Sequence, residues 1–99
     1  MPAYVEIWSP GGTMEAALDR PRVTVGRASD NDIVIDDPTV SRHHLVFERL
    51  AAGWSAHDVR STNGTRVNGE PIQAGRPLYN DDQLMLGESK LVYRNRPPS

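Results

Sequence analysis

Apolar and polar residues alternate in short runs along this chain, and Gly, Pro, Asn and Asp cut the runs apart. Tyr4-Val5-Glu6-Ile7-Trp8, Arg22-Val23-Thr24-Val25 and Gln83-Leu84-Met85-Leu86 follow a two-residue period. That period sends successive side chains to opposite faces of a strand. Ile33-Val34-Ile35, Leu45 to Arg49, Trp54 to Val59 and Ser89 to Tyr93 read as further strands from their β-branched and aromatic content. Met14 to Leu18 returns on the first strand across a Ser9-Pro10-Gly11-Gly12 turn, although its alanines favour a strand only weakly. Thr65-Arg66-Val67, Glu70-Pro71-Ile72 and Arg76-Pro77-Leu78 are shorter, and Pro71, lacking an N–H, suits an edge. No window carries an amphipathic helix for three turns, and Glu15-Ala16-Ala17-Leu18 is too short to be one alone. Many short strands with turn signals between them predict an all-β sandwich or barrel. Trp8 and Trp54 fall inside strand patterns and are expected in its core.

Ninety-nine residues make one domain, large enough to bury a core unaided. Residues 1–93 are read as that domain, and 94–99, ending in Pro-Pro-Ser, as a flexible tail or the start of a linker. The absence of Cys rules out disulfides and thiolate metal sites and fits a reducing, intracellular setting, cytoplasmic or, in a eukaryote, nuclear. Apolar runs of a few residues are too short to insert in a membrane, and the N-terminus lacks the basic and apolar regions of a signal peptide. A net charge of −2, from 11 basic and 13 acidic side chains, argues against general nucleic-acid binding.

Candidate chemistry gathers at strand ends. Thr39-Val40-Ser41-Arg42-His43-His44 lies between two apolar runs and carries far more chemistry than a chain reversal requires. Val25-Gly26-Arg27-Ala28-Ser29 and Ser61-Thr62-Asn63-Gly64-Thr65 repeat its mixture of hydroxyl, guanidinium and amide groups. Together the three predict loops converging on a phosphate. Arg27 offers a planar fork for two oxygens, and Arg42 adds a second cation. Ser41 and Thr62 are neutral donors, and Asn63 can both donate to and accept from a peptide backbone. Holding a phosphate without cleaving it would require no cofactor, metal, acid or base. Adjacent His43 and His44 point to opposite faces and suit one metal ion poorly, so a buried, hydrogen-bonded His44 is expected. A hydrolase built on Ser41 and His44 lacks a Gly-x-Ser-x-Gly elbow and an evident orienting Asp.

Gly26-Arg27, then Ser41-Arg42-His43-His44, then Ser61-Thr62-Asn63-Gly64-Thr65 with Asn68-Gly69 resembles the forkhead-associated (FHA) domain family, over roughly Val5 to Tyr93. The resemblance implies an eleven-stranded β-sandwich that binds phosphothreonine peptides through loops at one end, without catalysis. It implies that Arg27 and Ser41 contact the phosphate, that Arg42 and Thr62 assist, and that Asn63 holds the peptide backbone. Gly26 and His44 match positions that brace the loops, and Gly64 and Asn68 are read as structural turn residues. Thr39, Val40, Arg60 and Ser61 are the expected rim that reads flanking residues. Arg60 and Asp81 depart from the family, which often has Gly at both places. The implied partner is a phosphothreonine-bearing protein, in trans or from the same parent chain, downstream of a Ser/Thr kinase. The competing reading is an interaction module that ignores phosphate.

Overall fold

The computed structural model describes residues 3–95. Eleven strands account for its regular structure: β1 (Ala3–Ser9), β2 (Gly12–Leu18), β3 (Arg22–Gly26), β4 (Ile33–Val34), β5 (Leu45–Leu50), β6 (Gly53–Asp58), β7 (Thr65–Val67), β8 (Glu70–Ile72), β9 (Arg76–Pro77), β10 (Gln83–Leu86) and β11 (Ser89–Arg94). They form a six-stranded sheet, β2-β1-β11-β10-β7-β8, and a five-stranded sheet, β4-β3-β5-β6-β9. All pairings are antiparallel except β3 with β4. The alternation in the sequence is what closes this sandwich. Val5, Ile7, Leu84, Leu86, Leu91 and Tyr93 of one sheet face Val23, Val25, Leu45, Phe47 and Ala56 of the other, all nearly inaccessible to solvent. Burying one such side chain contributes about 1.5–3 kcal/mol.

The register fixes which loops meet. Val25 pairs with Leu45 and Leu45 with Asp58, so the segments after β3, before β5 and after β6 leave the five-stranded sheet at the same end. Thr65 pairs with Leu86, which brings the start of β7 and the β10–β11 turn of the other sheet to an edge of this kind as well. Bonds between the loops, described below, join the two.

Two expectations change. Trp54 is buried, but Trp8 is 39% exposed, because the inward set of β1 is Ala3, Val5 and Ile7, and Trp8 belongs to the outward set. Arg94 does not open a tail. It closes β11 and forms an ion pair with Glu6, at 2.9 Å, as well as one with Asp81. The rest of the expected tail, 96–99, lies outside the described residues.

Candidate functional site

The site is founded on a close backbone approach at the end of β3. Past Val25, chain 35–44 runs beside 26–28 and extends the sheet irregularly. Ile35 N–H donates to Gly26 O, Arg27 N–H to Ser41 O, Ala28 N–H to Arg42 O and His44 N–H to Val25 O, at 2.9–3.1 Å. A Cβ on Gly26 would stand 2.1 Å from Arg42 O, so no other residue fits. Asn31 ties the same two segments together. Its amide donates to both Ala28 O and Arg42 O at 2.8 Å, and its buried Oδ1 has no partner among the described residues.

His44 connects this framework to the third loop. Its Nδ1 accepts from Ser41 N–H at 3.0 Å, so Nε2 carries the proton and donates to Gly64 O at 2.9 Å. The ring is fully buried. Burial pushes its pKa down, against the opposing pull of the Gly64 carbonyl and the Asp58 and Asp37 charges. Ser41 Oγ in turn accepts from Thr62 N–H at 2.9 Å, which leaves the hydroxyl proton to donate outward. This wiring is incompatible with a Ser-His relay. Asp58 does stand 4.0 Å from His44, but both imidazole nitrogens are committed to backbone groups, and the Ser41 hydroxyl bonds elsewhere.

Two acidic side chains brace the loops from beneath. Asp37, fully buried, accepts from Thr39 N–H and Oγ1–H and from Ser89 Oγ–H, at 2.6–2.8 Å. Thr39 Oγ1 then accepts from Glu88 N–H, tying the loop to the β10–β11 turn. Asp58 accepts from Ser61 N–H, from the Ser61 hydroxyl and from Thr65 Oγ1–H. Burial alone would raise both carboxyl pKa values, but these donors outweigh it and hold both below the usual carboxylate range. Gly87, at φ +57°, is packed so tightly on Thr39 that a Cβ would lie 2.2 Å from Oγ1.

The predicted residues divide on this framework. Arg27 is exposed and donates Nε–H to Val40 O at 3.0 Å, leaving the four Nη hydrogens for a ligand. Arg42 is also exposed, and among the described residues neither arginine makes an ion pair. Asn63 is exposed and donates to Thr39 O at 2.7 Å, and among the described residues its Oδ1 and second N–H have no partner. Arg27, Ser41, Thr62 and Asn63 are thus brought into one connected surface through Val40, Thr39 and the Ser41–Thr62 bond. The expected rim is smaller than the sequence suggests. Val40 is 1% exposed, a core residue that offers only its carbonyl, and the Ser61 hydroxyl is turned to Asp58. Arg60 is exposed and adopts φ +60°, the conformation that glycine supplies most cheaply. Gly64, at φ +76°, and Asn68, at φ +50°, sit in turns. Asn68 donates to Asp82 and accepts from Gln83 N–H, and neither bond involves the three loops of the site.

Sequence reasoning missed Asn31, Asp37, Asp58 and Gly87. Asp37, two residues before Thr39, carried a readable signal, since an Asx side chain commonly captures the N–H two residues on. Asp58 and Asn31 combine bonds three residues along the chain, to Ser61 and Ala28, with more distant ones to Thr65 and Arg42, and Gly87 acts through its packing on Thr39. Among the described residues, no group of three His, Cys, Asp or Glu side chains could hold a metal ion.

Comparison with known proteins points to one family. The FHA domain model matches residues 23–87. The chain is 39% identical over 90 residues to the glycogen accumulation regulator GarA of Mycolicibacterium smegmatis, covering 91% of this chain and 56% of that protein. It is 40% identical over 88 residues to the oxoglutarate dehydrogenase inhibitor of Corynebacterium diphtheriae, covering 89% of this chain and 61% of that one. The chain therefore spans less than two thirds of the length of these relatives. A solved structure from a structural and functional analysis of phosphothreonine-dependent FHA domain interactions superposes with a TM-score of 0.88 at 28% identity, covering 99% of this chain and all of that one. By family match, by relatives and by the construction of its loops, this chain belongs to the FHA domain family.

Proposed function

We propose that this domain is a non-catalytic reader of phosphothreonine in partner proteins. The observation that carries the reading is the exposed Arg27 guanidinium, tied to Val40 O next to a Ser41 hydroxyl whose oxygen accepts from Thr62 N–H, with exposed Arg42 following in the chain and, among the described residues, no carboxylate paired to either arginine. A phosphothreonine brings about −1.5 to −2 charges and three acceptor oxygens. Arg27 and Ser41 bind the phosphate, Arg42 and Thr62 add to the field and the donors, and Asn63 pairs with the peptide backbone. Hydrogen bonds to a charged group contribute about 1.5–3 kcal/mol each. A few of them, less the cost of association, give micromolar affinity, about −8 kcal/mol. The partner is phosphorylated by a Ser/Thr kinase and is either a separate protein or another segment of the parent chain, in an intracellular setting. What the longer relatives regulate is not carried over with the domain alone.

Calorimetric titration with degenerate phosphothreonine, phosphoserine and unphosphorylated peptide pools tests this directly. We expect saturable binding to the phosphothreonine pool and none to the unphosphorylated one. Arg27→Ala should weaken it at least about tenfold without changing the thermal midpoint, in line with loss of a charge-assisted bond. Equal binding to the unphosphorylated pool would establish the phosphate-independent module instead. Affinity should also fall below about pH 6, where the phosphate gains a proton.

A further inference from the structure

The outward face of the six-stranded sheet carries one continuous row whose chemistry the core does not require. Trp8 of β1 is paired with Lys90 of β11, Lys90 with Met85 of β10, and Met85 with Arg66 of β7. Directly paired residues share a face, so the four side chains stand in line across four neighbouring strands. Trp8 and Met85 are 39% and 37% exposed, although their inward neighbours Ile7, Leu84 and Leu86 are buried. The Lys90 ammonium lies 4.8 Å from the centre of the Trp8 ring. Among the described residues, neither Lys90 nor Arg66 makes an ion pair. Glu6 and Glu15 stand opposite each other in the next row and share a pocket with Trp8, and Glu6 is neutralised by Arg94, so the acidic groups of an occupant belong at the Arg66 and Lys90 positions and its apolar groups at Trp8.

The row runs out of the phosphopeptide site. Arg66 and Met85 line a groove of about 290 Å³ whose other wall is Asn63 and Gly87, with Glu88 as its one carboxylate. A chain gripped at Asn63 therefore has a path of alternating cation and apolar surface leading across the sheet. Adjacent strands are about 4.8 Å apart, so the three steps from Arg66 to Trp8 span about 14 Å, or about four extended residues.

We infer that this row is a second docking surface, and that its occupant is an acidic, apolar segment of the same phosphorylated partner, lying beyond the residues that flank the phosphothreonine. Acidic groups pair with Arg66 and Lys90, and apolar groups cover Met85 and Trp8. This rests on the phosphothreonine reading and deepens it. The surface selects among phosphorylated partners by what lies farther along the chain.

The test uses the 99-residue chain and synthetic phosphothreonine peptides. A short peptide is compared with versions extended on either side by six residues, either Glu-Glu-Leu-Leu-Glu-Glu, which puts both residue types on each face of an extended chain, or Gly and Ser, and with a version extended by only two. Fluorescence anisotropy should show about tenfold tighter binding for the six-residue Glu-Leu extension on one side, falling as salt rises. The Gly-Ser and two-residue extensions should bind like the short peptide. Lys90→Glu and, separately, Trp8→Ser should erase the gain while leaving short-peptide affinity unchanged. Equal affinity for Glu-Leu and Gly-Ser extensions on both sides would overturn the inference, as would a gain that survives both variants. Failure of the phosphothreonine reading itself looks different, because the short peptide would then not bind, or would bind no better than its unphosphorylated counterpart run beside it.

Discussion

Gly26, His44 and Arg60 each fix a backbone position that the loops depend on, for different reasons. Gly26 is chosen by space, since Arg42 O would lie 2.1 Å from any Cβ. Gly26→Val should destabilise the domain by more than about 3 kcal/mol in urea denaturation, the range of severe overpacking and of broken hydrogen-bond networks. His44 is chosen by its two nitrogens. Its pKa is depressed in the folded state below the ordinary 6.5, chiefly by burial. The unfolded chain therefore takes up the His44 proton first as pH falls. The stability due to His44 is fully present above pH 6.5 and is lost as pH falls through the folded pKa. Thermal midpoints of the peptide-free domain should start to fall below about pH 6.5, before carboxylates titrate. His44→Gln should flatten that upper part of the profile. Arg60 carries a left-handed backbone without the freedom of glycine. Arg60→Gly should leave the domain as stable or raise its stability by up to about 1 kcal/mol, since relief of strain is partly offset by unfolded-state entropy.

The loops owe their shape to buried side-chain bonds more than to turns of their own. Asp37 ties the segment after β4 to Thr39 and to Ser89 at the start of β11, and Asp58 ties the segment after β6 to Ser61 and Thr65. Such bonds link one sheet's loops to the other sheet, so losing one should loosen the site at a distance. Asp37→Ala removes a charged acceptor from several donors in a dry place and should cost about 3 kcal/mol. It should also weaken phosphopeptide binding, although Asp37 does not reach the surface. A variant that lost stability but bound with unchanged affinity would show that Thr39 and Asn63 hold their positions without it. β4 itself is two residues long and depends on β3, with Val25 and Gly26 paired to Ile33 and Val34.

The molecule as a whole closes through its ends. β1 pairs with β11 from Tyr4↔Arg94 to Trp8↔Lys90, joining residues nearly the full chain length apart. The family match stops at residues 23–87, yet Val5, Ile7, Leu91 and Tyr93 outside it are almost completely buried. A chain trimmed to 20–88 should therefore fail to fold, showing disordered amide resonances and no cooperative melting, whereas the 99-residue chain melts cooperatively. Strand pairings this distant also predict refolding in milliseconds to seconds, since loop-closure entropy must be overcome before the contacts form.

All eleven strands were readable within a residue or two because strand patterning is a property of neighbours, and Asn63-Gly64 and Asn68-Gly69 announced their turns chemically. Gly75 and Gly87, each at φ +57°, follow the same logic. The order of Gly26-Arg27, Ser41 to His44 and Thr62-Asn63 was enough to name a family, because each block sits at the end of a strand. Alternation alone did not say which face of β1 lies inward at Trp8; that depended on β1 being sandwiched with Ile7 toward the core. It did not say that Val40 is core, nor that Ser61 faces Asp58, because both follow from how loops from two sheets pack together. Sequence determined the strands, the turns and the chemistry available to the loops, since those are set by neighbours along the chain. Tertiary structure alone decided which of those groups are consumed in bracing the loops and which, like the Arg27 guanidinium, are left free for a ligand, because that depends on partners many residues away.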